Sequence, residues 1–313
     1  MTLAFVFPGQ GSQSVGMMRD LAAKFPVVRQ TFDEASHALG YNLWLIVEQG
    51  PDERLNQTEV TQPAMLAAGV ANWRVWSELK GPKPQVMAGH SLGEYTALVC
   101  SEALDFPEAV KLVADRGRFM QDAVPIGQGS IAAILGLDNE AVQKLCDQAA
   151  QGEVLDAVNF NSPNQIVIAG AAGAVARAVE QSKAAGAKRA VVLPMSVPAH
   201  SRLMIPAAER MAERLKHVEI RRPVLPVIHN SHVKSESDPA AIRKELVRQI
   251  KSPVRWVEII QKMQADGVNR LVECGPGKVL TGLNKRIARS TETLPVFDPT
   301  SHQEALSILT KIS

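Results

Sequence analysis

The sequence predicts an α/β protein with a mostly parallel sheet covered by helices and a small inserted unit of different order. Two observations carry this. Short β-rich runs alternate with helical stretches through most of the 313 residues. Between about 128 and 194 the order changes to strand, helix, strand, strand, helix, strand, the ferredoxin-like split unit. With 46% hydrophobic and 21% charged residues, a chain of this length buries a large core and exceeds one small domain. The expected division is a main domain of residues 1–126 and 195–313, with an insert at 127–194.

In chain order, the strands expected for the main sheet are the apolar runs Leu3–Phe7, Gln85–Ala88, Leu225–His229, Asn269–Glu273 and Leu294–Phe297. Four of the five lead into glycine or proline turns or polar loops, where the sites of such sheets collect. Helices are expected near 62–79, 91–102, 106–121, 200–216, 239–250, 255–265, 277–289 and 302–312. Within the insert, strands are expected at Ser130–Leu135, Val154–Phe160, Gln165–Ala169 and Arg189–Leu193, with helices at Asn139–Ala150 and Ala174–Ala185.

The second strand enters Gly89-His90-Ser91-Leu92-Gly93, and a helical stretch follows from Glu94. Strand, tight turn and helix with serine at the apex form the nucleophile-elbow pattern, in which glycines permit strained backbone and close helix–strand approach. Ser91 is therefore the expected nucleophile for acyl chemistry. A serine hydroxyl needs a base to remove its proton during attack. Of seven histidines, His200 is the first candidate because it follows the insert and opens a predicted helix, whose N-terminus disfavours imidazolium. His229 and His232, at the end of a predicted strand, remain alternatives.

An oxyanion intermediate needs donors placed in advance. The Leu92 N–H, next to the nucleophile, is one candidate. The glycine-bearing loop Phe7-Pro-Gly-Gln-Gly-Ser-Gln13 supplies Gln10 as another, unless that loop is only a turn. It is not a phosphate-binding loop, because no Lys-Ser/Thr follows at the required spacing. Arg116 sits within a largely apolar helical stretch. It would bind a substrate carboxylate through its planar fork, or else pair internally with Asp115.

Bulk properties exclude other classes. Net charge is +2 and the basic residues are scattered, which gives nucleic-acid binding no support. No run of about 18 apolar residues is present, so no membrane span is expected. The opening Met1–Phe7 lacks the marks of a signal peptide. Cys100, Cys146 and Cys274 lie in apolar surroundings and read as reduced core residues of a cytoplasmic protein. Histidines and cysteines lack ligand spacing, so no metal or redox cofactor is expected.

Several ordered motifs together resemble the malonyl-CoA:acyl carrier protein transacylases of type II fatty acid synthesis. They are Phe5 to Gln13, Thr61-Gln-Pro-Ala64, Gly89 to Glu94, Arg116 to Gln121, Pro198-Ala-His200-Ser, Gln249 to Trp256 and Glu273-Cys-Gly-Pro-Gly277, and they span essentially the whole chain. The resemblance implies an α/β-hydrolase-like large domain with a ferredoxin-like small one. It implies that Ser91 takes the malonyl group, His200 is the base, Arg116 holds the malonyl carboxylate, and the N–H groups of Gln10 and Leu92 form the oxyanion hole. It further implies that the main-chain carbonyl of Gln249 orients the histidine. Malonyl-CoA and holo acyl carrier protein are then the partners of a monomer, and Lys183, Lys188, Arg189, Lys278, Lys285, Arg286 and Arg289 are candidates for a basic rim facing an acidic carrier. Ala199 and Ser201 bracket the histidine where relatives vary, which leaves selectivity among acyl units open. A serine thioesterase, a silent carrier-binding protein and a trans-acting acyltransferase of a polyketide pathway are the competing readings.

Overall fold

The computed structural model describes residues 2–195 and 197–311. Among them, nine strands follow one another as β1 (Leu3–Phe7), β2 (Val86–Gly89), β3 (Gly129–Leu135), β4 (Leu155–Ser162), β5 (Gln165–Ala171), β6 (Arg189–Val192), β7 (Val227–Ile228), β8 (Arg270–Cys274) and β9 (Glu292–Val296). The main sheet is parallel throughout, in the order β7-β2-β1-β8-β9. All five residues of β1 are buried, as expected of a central strand with helices on both faces. The loops after β1, β2, β7 and β8 therefore emerge together at the carboxyl end of the sheet, and Gln10, Ser91, Leu92 and Asn230 come from them.

The second sheet, β4-β5-β3-β6, is antiparallel in all its pairings. Its helices, Asn139–Ala150 and Ala172–Ser182, cover one face around a separate core that includes Ile134, Leu145, Ile166, Ile168 and Val175. β4 also lies against the main unit. Phe160 N–H donates to the Val254 carbonyl at 3.0 Å and Val254 N–H to the Val158 carbonyl at 2.9 Å.

Local differences from expectation have identifiable causes. The strand expected over Leu225–His229 keeps only Val227 and Ile228, because Pro226 has no N–H for a ladder and the His229 N–H turns to the Lys234 carbonyl instead. The helix expected from residue 62 starts a turn earlier and runs Thr58–Glu78 with Pro63 inside it; a proline reads in sequence as a helix start. Four helices before residue 56, at Arg19–Lys24, Pro26–Leu39, Leu43–Gln49 and Asp52–Leu55, lie outside the expected set. The C-terminal helix occupies Pro299–Thr310, and position 312 of its expected range lies outside the described residues.

No helix among the described residues is long and apolar enough to cross a membrane. Nor do those residues contain a group of three or more His, Cys, Asp or Glu side chains arranged to hold a metal ion. The three cysteines are buried free thiols.

Candidate active site

Ser91 stands at the apex between β2 and the helix Gly93–Cys100 with φ of 52°, in the left-handed region that a side chain occupies only when the surroundings hold it there. Those surroundings are tight. A Cβ on Gly89 would lie 1.8 Å from the Gly93 carbonyl carbon, and one on Gly93 would lie 2.0 Å from the Phe7 carbonyl oxygen. Both positions must be glycine for the helix to sit down on β1 and β2. Asn230, in the loop after β7, stitches the turn: its Oδ1 accepts from the Ser91 N–H and its Nδ2 donates to the Gly89 carbonyl, both at 2.7 Å.

The Ser91 hydroxyl lies 2.7 Å from His200 Nε2. On the other side of the ring, Nδ1 meets the Gln249 main-chain carbonyl at 2.8 Å. A carbonyl only accepts, so Nδ1 carries the hydrogen and the Nε2 lone pair faces the serine. His200 does not open a helix as expected. It occupies a turn with φ of 67°, and a short 3-10 segment, Arg202–Met204, separates it from the helix Ile205–Leu215. Its neutrality has a different physical origin from the one expected. Burial, followed by the charge of Arg116, pushes its pKa down to about 3.

Arg116 projects from the helix Phe106–Asp122 and is 1% exposed. Nη1 donates to Gln62 Oε1 at 2.8 Å, Nη2 donates to Gln249 Oε1 at 3.0 Å, and the guanidinium stands 5.4 Å from the Tyr95 ring centre. Its Nε is buried and has no hydrogen-bond partner among the described residues. The alternative of an internal pair with Asp115 is overturned, because Asp115 is taken by Arg118 and Arg214 at 2.7 and 2.8 Å. Its terminal nitrogens thus meet neutral amides and no carboxylate, and the nearby Tyr95 and Glu94 do not offset the cost of burying the charge.

Gln10, Ser91, Leu92, Arg116 and His200 all line one cleft of about 150 Å³. Apolar side chains of the second sheet, Ile131 and Val167, close one wall, and Leu280 and Leu283 close another. His229 and His232, the alternative bases, are engaged elsewhere, with Glu94 at 2.8 Å and with Glu236 at 2.9 Å respectively. His90 turns away from the serine and meets Asn161 of β4 at 2.7 Å. Sequence reasoning gave no role to Gln62, Glu94 or Asn230. Gln62 and Glu94 stood within quoted motifs, and the signal they offered was only a polar residue in an apolar helical run.

An elbow serine bonded to a neutral histidine, at the carboxyl end of a parallel sheet and facing a buried cation, defines an α/β enzyme of the acyltransferase class. The chain belongs to the acyl transferase domain family, whose sequence model matches residues 4–303. A malonyl CoA-acyl carrier protein transacylase of Haemophilus influenzae is 58% identical over 300 residues, covering 95% of this chain and 96% of the relative. The crystal structure of an acyl carrier protein S-malonyltransferase from Vibrio cholerae is 56% identical with a TM-score of 0.95, covering 97% of this chain and 99% of that one. A malonyl-transacylase solved in complex with a type II polyketide synthase acyl-carrier protein is 54% identical with a TM-score of 0.97, covering 98% and 100%.

Proposed function

We propose that the protein moves a malonyl group from malonyl-CoA to the phosphopantetheine thiol of acyl carrier protein, through a malonyl ester on Ser91. The observation that carries this reading is the 2.7 Å contact between Ser91 and His200 in a cleft that also holds the unsatisfied Arg116. The Ser91 hydroxyl attacks the thioester carbonyl while His200 Nε2 takes its proton. The developing oxyanion is met by the main-chain N–H groups of Leu92 and Gln10, donors each worth about 3 kcal/mol in such sites. Collapse releases CoA, whose sulfur takes the proton back from His200, and the carrier thiol then enters and the steps reverse. Arg116 holds the free carboxylate throughout, and the Gln249 carbonyl keeps the imidazole aimed. The chemistry is ping-pong and calls on no metal or redox cofactor.

Lys183, Lys188, Arg189, Lys278, Lys285, Arg286 and Arg289 are all exposed, and Arg286 reaches across to Gln165 of the second sheet at 2.7 Å. They are the candidates for a rim on which an acidic carrier is steered. The carrier belongs to fatty acid synthesis in this reading; the neighbour solved with a polyketide carrier favours the second reading, a polyketide acyltransferase working in trans. A thioesterase has no use for a buried carboxylate-binding cation. We place the enzyme in the cytoplasm as a monomer, divided into a catalytic domain of 1–126 and 195–313 and a small domain of 127–194. The separate core of the small sheet supports that division.

Intact-mass spectrometry after addition of malonyl-CoA tests the proposal. A single malonyl adduct is expected on the protein and none on the Ser91→Ala variant. Holo acyl carrier protein should discharge it, more slowly as salt is raised. An adduct that persists in Ser91→Ala, or one discharged only to water, would exclude the reading.

A further inference from the structure

A second buried polar cluster lies directly under the elbow, and none of the acyl-transfer steps uses it. Glu94, 0% exposed, sits in the first turn of the helix Gly93–Cys100. Three donors converge on its carboxylate: His229 Nδ1 at 2.8 Å, the Asn230 main-chain N–H at 2.9 Å and Gln249 Nε2 at 3.1 Å. The same Gln249 amide nitrogen also donates to the Ser91 carbonyl at 2.8 Å, and its Oε1 accepts from Arg116 Nη2 at 3.0 Å.

A carboxamide turned by half a revolution exchanges its oxygen and its NH₂. A carboxylate and a carbonyl only accept, so Glu94 together with the Ser91 carbonyl admits one of the two orientations, the one that turns the amide oxygen toward Arg116. With the amide reversed, two sets of N–H groups would face each other in a buried site, and the guanidinium would have to swing out of plane. We propose that Glu94 is a positioning residue for selectivity: acting through the side chain of Gln249, it holds Arg116 in the plane that receives a substrate carboxylate. The inference rests on the reading of Arg116 as the carboxylate holder. It gives Gln249 a second function beside that of its main-chain carbonyl, and it connects the serine turn, the base and the arginine through one side chain.

The readout is the ratio of kcat/KM for malonyl-CoA to that for acetyl-CoA, which a general loss of folded enzyme does not move. In Glu94→Ala the ratio should fall by about tenfold or more, the range expected for one hydrogen bond to a charged group. Gln249→Ala, which keeps its main-chain carbonyl, should lower the ratio similarly, and the double variant should be no worse than either single one. Glu94→Gln should retain most of the ratio. Its oxygen can serve Asn230 and Gln249 while its NH₂ donates to His229, whose Nε2 is unpartnered among the described residues and free to carry the hydrogen instead. An unchanged ratio in Glu94→Ala, or additive losses in the double variant, overturns the proposal. Should Glu94→Ala fail to fold, an unchanged ratio in Gln249→Ala overturns it equally. Arg116→Ala is the control for the underlying reading: if that variant keeps the ratio, the assignment of Arg116 fails rather than the link to Glu94.

Discussion

Arg116 concentrates the energetics of the site in one side chain. Its charge is fully buried, its two terminal nitrogens meet neutral amides, and burial pulls its pKa down from the usual arginine value. A carboxylate arriving there completes an ion pair, and acetyl-CoA leaves it incomplete. Removing one side of a buried pair costs roughly 3–5 kcal/mol, so Arg116→Ala should lose about two to four powers of ten in malonyl transfer and gain relative acetyl transfer. A competition assay with both thioesters reads this directly, and an unaltered malonyl preference would remove Arg116 from the role. Ser91 and Arg116 were legible in the sequence because each sits in a local pattern that is odd on its face, a serine between glycines and an arginine among apolar residues; His200 was legible from its place just after the insert, although the helix start expected there is a turn. Glu94, Asn230 and Gln62 were not. Their significance lies in hydrogen bonds to residues 135, 141 and 54 positions away, and no local pattern encodes such pairings.

At the level of elements, the elbow is a packing problem before it is a chemical one. The helix Gly93–Cys100 can sit on the sheet only while Gly93 offers no Cβ to the Phe7 carbonyl. Because that neighbour is backbone, it cannot step aside as a side chain would. Gly93→Ala should cost about 3 kcal/mol or more and lower the urea midpoint of unfolding, with loss of acyl-enzyme formation. Wild-type stability in that variant would contradict the close contact between helix and β1. The strands of both sheets were readable to within a few residues because apolar runs between turn residues are a local signal. Of the helices before residue 56, Arg19–Lys24, Leu43–Gln49 and Asp52–Leu55 are too short to carry a period, whereas Pro26–Leu39 is missed despite the stripe Val28, Phe32 and Ala35 that it buries.

Across the whole molecule, the histidines set the response to acid. His200 and His302 are buried, with pKa values pushed down by burial to about 3 and about 4, below the ordinary 6.5. The unfolded chain therefore takes up their protons first. Nothing changes above pH 6.5, and stability is lost as the pH falls from 6.5 toward 4, at about 1.4 kcal/mol per pH unit for each group. Glu273 works in the opposite direction. Burial raises its carboxyl to about 6, so stability returns as the pH falls through that value toward 4.5. His90, lowered by burial, adds to the loss, and His229, which burial would lower but the Glu94 carboxylate raises, works against it. Three lowered histidines outweigh one raised histidine and one raised carboxyl, and the protein should be less stable near pH 5 than near pH 7. Urea unfolding at the two pH values checks the sign; equal or greater stability at the acid value would contradict it.

The burial of all three thiols has a practical corollary. Desolvation raises each of their pKa values, Cys146 to about 12 and Cys100 and Cys274 well beyond the ordinary range. Thiolate is the form that alkylates, so maleimides should pass the native protein by. A single cysteine engineered beside Lys278 or Arg189 would then be the one handle open to a fluorophore, with no need to delete the natural three. Carrier docking becomes observable in an otherwise unaltered enzyme.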